Sequence, residues 1–74
     1  MSEITYDQAK KLILTRLREY MESLPASERT RPRYIIDFKP YSVLQLIAEV
    51  ERDTEVGRSY VFDQARQLGY VVSG

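Results

Sequence analysis

Residues 42–71, SVLQLIAEVERDTEVGRSYVFDQARQLGYV, decide how this chain folds. Ser42 with Gln45 three positions on makes a capping box, and Tyr41 just before it can staple onto Leu46, so a helix starts there. Val43, Leu46, Ile47 and Val50 recur at helical spacing and supply its buried stripe. Where this helix stops has two readings. In the first, Gly57 takes the left-handed position past the helix end and the chain turns through Arg58. Ser59 then caps a third, short helix that carries Val61, Ala65 and Leu68 inward and ends at Gly69. In the second, one helix runs from Ser42 to Leu68, since no proline forbids it and a mid-helix glycine costs only about 1 kcal/mol. The broken form is the expectation, and it makes the stretch a helix–turn–helix pair. The tail Tyr70-Val71-Val72 is β-prone and is expected to pair with a strand upstream.

That strand is read at Arg33-Tyr34-Ile35-Ile36-Asp37-Phe38, where β-branched and aromatic residues crowd together before Lys39-Pro40 stops them. Alternation puts Tyr34, Ile36 and Phe38 on one face and Ile35 and Asp37 on the other. Pro25 to Pro32 is polar and bounded by prolines, so it reads as a loop. Before it lies the clearest helix of the chain. Thr5 and Gln8 form its capping box, Ile4 can staple onto Ala9, and Pro25 ends it. Tyr6, Ala9, Ile13, Leu17, Tyr20 and Leu24 mark its apolar stripe, widened by Leu14 and Met21. The predicted fold class is α+β and mostly helical: a long N-terminal helix, a short strand, a helix–turn–helix pair and a short C-terminal strand. The 74 residues are read as one small domain, 1–74.

Composition narrows the chemistry more than it suggests a partner. The chain has no histidine, cysteine or tryptophan, and eleven Lys+Arg balance eleven Asp+Glu. The commonest general base, thiol nucleophiles and soft metal ligands are therefore missing. At 43% hydrophobic and 30% charged, this is ordinary globular material. A domain this small keeps only ~3–5 kcal/mol from its core, so oligomerisation or a partner surface is an expected supplement. Met1-Ser2-Glu3 lacks the basic and apolar regions of a signal peptide, and no apolar run is long enough to span a bilayer. A cytoplasmic location, including the host cytoplasm or the virion for a viral protein, is the expectation.

Individual residues point the same way. Asp37 is the one acid embedded in an apolar run, so burial could raise its pKa, but alternation is expected to turn it outward. Glu51, Asp53 and Glu55 alternate before Gly57 as in a calcium loop. Counted from Glu51, however, the glycine falls seventh rather than sixth and Phe62 stands where the bidentate glutamate belongs. They read as a solvated helix end. The glycines are too dispersed for a phosphate loop. No catalytic residue, metal site, cofactor or small-molecule substrate is expected.

Ser59-Tyr60-Val61-Phe62-Asp63-Gln64-Ala65-Arg66-Gln67-Leu68-Gly69-Tyr70-Val71 resembles the end of a winged-helix domain, in the form found in arginine repressors: Ser-x-Val, a small or aliphatic residue four on, then Leu-Gly-x-Val. The resemblance implies a DNA-binding regulator whose last helix enters the major groove, with Ser59, Tyr60, Phe62, Asp63 and Arg66 near DNA. Phe62-Asp63 stands where that family carries Ser-Arg, which removes a principal base reader and sets an acid against phosphate. A separate stretch, Ile35-Ile36-Asp37-Phe38 with Ser42-Val43, Leu46 and Val50, is similar to the small head-to-tail joining proteins of tailed bacteriophages. That resemblance implies a non-catalytic subunit of a larger assembly.

Two functions follow as expectations. The leading one is a non-catalytic protein-binding adaptor or structural subunit, with a protein partner or a second copy. Its contact surface is then Tyr60 and Phe62 on the last helix, flanked by Arg58, Asp63 and Arg66, because exposed aromatics ringed by both signs of charge suit a protein better than a polyanion. The alternative is a winged-helix regulator using Arg58, Ser59 and Arg66, with Arg29, Arg31 and Arg33 touching a nucleic-acid backbone.

Overall fold

The described chain, residues 2–73 of a computed structural model, opens on a short strand, β1 (Ser2–Thr5), ahead of the first helix. Helix α1 (Tyr6–Ser23) starts with the capping box read from the sequence: Thr5 Oγ1 accepts from the Gln8 amide at 3.1 Å, and Gln8 Oε1 accepts from the Thr5 amide at 2.9 Å. Ala9, Ile13, Leu14 and Leu17 face the core. Pro25 ends the helix as expected, and a single 3-10 turn (Ala26–Glu28) occupies the loop after it.

The region read as one strand from Arg33 to Phe38 is a hairpin, β2 (Tyr34–Ile36) paired antiparallel with β3 (Lys39–Tyr41). Asp37 at φ +51° and Phe38 at φ +67° form its two-residue turn. Positive φ at both central positions is type I′ geometry, which usually recruits Asn-Gly or Asp-Gly. Pro40, expected to stop the strand, lies inside β3, where a strand at a sheet edge tolerates a missing N–H.

Helix α2 (Val43–Glu51) starts at the second capping box, with Ser42 Oγ accepting from Gln45 N at 3.1 Å and Gln45 Oε1 from Ser42 N at 2.8 Å. The chain does break after it, but not at Gly57. Asp53 takes the left-handed conformation at φ +55°, and Thr54 caps α3 (Glu55–Gln67) by accepting from the Gly57 amide at 3.1 Å. Ser59 is therefore an exposed mid-helix residue rather than a cap. Gly57 is buried where α3 crosses α2: a Cβ there would run into the Glu49 carbonyl and lie 2.7 Å from the Val50 nitrogen. Its small size, not a left-handed turn, explains the glycine.

After α3, Gly69 at φ +90° turns the chain into β4 (Tyr70–Ser73). This tail pairs in parallel with β1, Ser2 opposite Tyr70 and Thr5 opposite Ser73, and not with the Tyr34 strand. The Tyr34 strand already has its own continuation as a partner, and a hairpin closes a far shorter loop than a pairing across two helices. Val43, Leu46, Val50, Val61 and Ala65 are fully buried between the three helices, with Ile13 and Leu17 from α1. Leu68, expected inward, is 40% exposed, because the chain turns away just after it and Tyr70 and Val72 cover that part of the core instead. No helix among the described residues is long and apolar enough to cross a membrane.

Candidate functional site

The aromatic patch expected on the last helix is largely tucked in. Phe62 is half-buried, its ring 5.5 Å from that of Tyr6, and it lines a groove of about 400 Å³ with Arg66, Tyr70, Val71 and Val72. Tyr60 is half-buried too and meets Tyr34 edge to face at 5.9 Å. Helical periodicity alone could not reveal this, because the groove's other wall is β4. What α3 does leave outside is polar. Arg58 lies over the Tyr6 ring at 5.3 Å, Arg66 is bound to Asp63 at 2.8 Å, and Ser59 is exposed.

The three loop arginines do different jobs and do not form one basic patch. Arg29 Nε donates to the carbonyls of Met21 at 2.9 Å, which also accepts the Leu24 amide, and of Leu24 at 3.1 Å, tying the loop to the end of α1. Arg31 pairs with Glu28 at 3.2 Å. Arg33 pairs with the same Glu28 at 3.5 Å and donates to the Tyr20 hydroxyl at 3.2 Å.

The two most exposed large apolar side chains among the described residues lie on the hairpin. Phe38 at its tip is 98% exposed and Ile35 is 78% exposed, directly across from the exposed Pro40. Tyr34 and Ile36 point the other way and pack on the core. Alternation in the sequence placed Tyr34, Ile35 and Ile36 on the expected faces, but the turn lifts Phe38 off the inner face. Asp37 sits beside Phe38 in the turn and is exposed.

The acids before Gly57 brace the helix junction. Lys10 Nζ reaches Asp53 at 3.0 Å and the Glu51 carbonyl at 3.2 Å, Tyr6 donates to Asp53 at 3.1 Å, and Arg18 meets Glu51 at 2.7 Å. The hydrogen bond from Lys10, seconded by that from Tyr6, holds the Asp53 carboxyl below its ordinary range. Among the described residues no three metal-ligating side chains gather.

A second concavity, of about 220 Å³, lies between α1, β2 and α3 and is lined by Ile13, Arg16, Leu17, Tyr20, Tyr34, Tyr60 and Gln64. Burial, together with the neighbouring Tyr34 hydroxyl, pushes the Tyr60 phenol up to about 12, and burial raises Tyr34 as well. Sequence reasoning overlooked this slot. Its only signal was the helical spacing of Arg16 with Tyr20 and of Tyr60 with Gln64, which puts each pair on one face.

No protein-family model, curated protein or solved structure matches this chain.

Proposed function

We propose that this protein is a non-catalytic binding module, an adaptor or a subunit of a larger assembly, and that the β2–β3 hairpin is its contact element. The observation that carries the reading is Phe38. A large ring is held almost wholly in water, on a residue whose left-handed backbone costs an L-amino acid about 1–2 kcal/mol. Strain of that kind gathers where function needs it, and exposed aromatics are preferred anchors of protein interfaces. Ile35 and Pro40 extend the apolar surface down the hairpin. The absence of histidine and cysteine from the sequence fits a protein that works by contact.

The test is affinity capture from the native source with wild type and Phe38→Gly in parallel, with folding stability measured on the same samples. Glycine accepts the turn without the Cβ penalty, so the variant should gain roughly 0.5–1 kcal/mol of stability. A protein retained by wild type and lost by this better-folded variant supports the reading. Equal retention overturns it. Recovery of nucleic acid instead, with steep salt dependence, would favour a winged-helix regulator acting through Arg58, Ser59 and Arg66 on α3.

A further inference from the structure

We infer that the slot between α1, β2 and α3 receives a carboxylate carried on a short apolar stem. Its mouth and walls carry hydrogen-bond donors and no acid: the Arg16 guanidinium, the hydroxyls of Tyr20, Tyr34 and Tyr60, and the Gln64 amide. Among the described residues Arg16 has no carboxylate partner, as is also true of Arg29, Arg52 and Arg58, so its guanidinium is free to take a ligand's carboxylate. Tyr20 accepts a hydrogen bond from Arg33, which leaves its own proton free to donate. A phenol keeps its proton at neutral pH, so Tyr34 and Tyr60 remain donors, although they also hydrogen-bond to each other. Ile13 and Leu17 lie behind these groups, almost fully buried, so the surface the slot offers is mainly polar groups and tyrosine rings.

Each feature limits the ligand. An arginine fork matches the planar carboxylate with two parallel hydrogen bonds. The faces of the three tyrosine rings favour an aliphatic stem over a fully hydrated dianion such as phosphate. At about 220 Å³ the slot is below the ~300–1,000 Å³ of sites for drug-sized ligands, so it takes a group the size of one side chain. A free short-chain acid and a glutamate side chain of a polypeptide share this chemistry. The slot is separate from the hairpin tip, so the inference stands or falls independently of Phe38.

The experiment is a two-dimensional ¹H–¹⁵N NMR titration of the whole chain with butyrate, butanol, inorganic phosphate and the blocked peptide acetyl-Ala-Glu-Ala-amide. Butyrate should give saturable shifts at the Arg16 Nε–H, the Gln64 side-chain amide and the Tyr34 and Tyr60 backbone amides, and butanol should not. Arg16→Gln should weaken butyrate about ten-fold, the scale of a lost charge-assisted hydrogen bond. Arg52→Gln, on an exposed residue elsewhere on the surface, should leave binding unchanged. Arg16 is itself exposed, so its replacement spares the core. A peptide tighter than butyrate identifies a polypeptide source, and a weaker one a free acid. Shifts that do not saturate, equal shifts with butanol, tighter binding of phosphate, or insensitivity to Arg16→Gln would each overturn the assignment.

Discussion

Replacing Gly57 by alanine should unfold much of this domain, although it adds one methyl group to a helix. In an isolated helix the same change stabilises by about 1 kcal/mol, because alanine is the better helix former. Here the new Cβ would run into the Glu49 carbonyl and come 2.7 Å from the Val50 nitrogen, both backbone atoms of the facing helix. Ordinary contact begins near ~3.5 Å, and no side-chain rotation can relieve a clash with backbone. The helices α2 and α3 must therefore part, loosening Val50, Leu46 and Val61, which are all fully buried. Overpacking typically costs ~1–3 kcal/mol and opened packing adds to it. A net loss of roughly 2–4 kcal/mol is most of what such a core supplies. Urea denaturation followed by circular dichroism measures it directly. A midpoint equal to or above that of the wild type would refute the close helix crossing.

Three further outcomes follow from the packing and the titrating groups. Val50→Ala, at a fully buried site, should cost roughly 1–3 kcal/mol in the same urea experiment, and a neutral result would place Val50 outside the core. Tyr60 has a folded pKa raised to about 12, so its share of stability is complete below about pH 10 and lost as pH rises through 12. Tyr60→Phe should flatten the alkaline limb of a stability–pH curve across that window, and an unchanged limb would contradict its burial. Asp53 is lowered instead, so its contribution is present above the unfolded value near pH ~4 and lost as pH falls through the folded one. Asparagine also tolerates the left-handed backbone, so Asp53→Asn should blunt acid destabilisation below about pH 4 while the turn persists.

What could be read from the sequence was local and written in side-chain chemistry. Both capping boxes carry the Ser/Thr and Gln that satisfy the first orphan amides of a helix, so Thr5 and Ser42 marked α1 and α2 without tertiary information. Turns that lack their usual residues were harder to place. Asp37-Phe38 and Asp53 adopt positive φ with no glycine, while Gly57, the obvious breaker, is there for helix contact. The strand Ser2–Thr5 has one apolar residue, Ile4, and its partner lies at the far end of the chain, so neither pattern nor proximity announced it. The same long-range pairing builds the wall that half-covers Phe62. The exposed aromatic expected on the last helix is therefore found on the hairpin, in Phe38.

Placing a photo-crosslinking amino acid at position 38, and in parallel at the exposed Glu19 of α1, tests the proposed role of the hairpin in the native setting. Irradiation should join position 38 to one defined protein, either a partner or a second copy, and leave position 19 unlinked. No adduct at 38, the same adducts from both positions, or a link to nucleic acid would contradict the view that this molecule works through its hairpin tip.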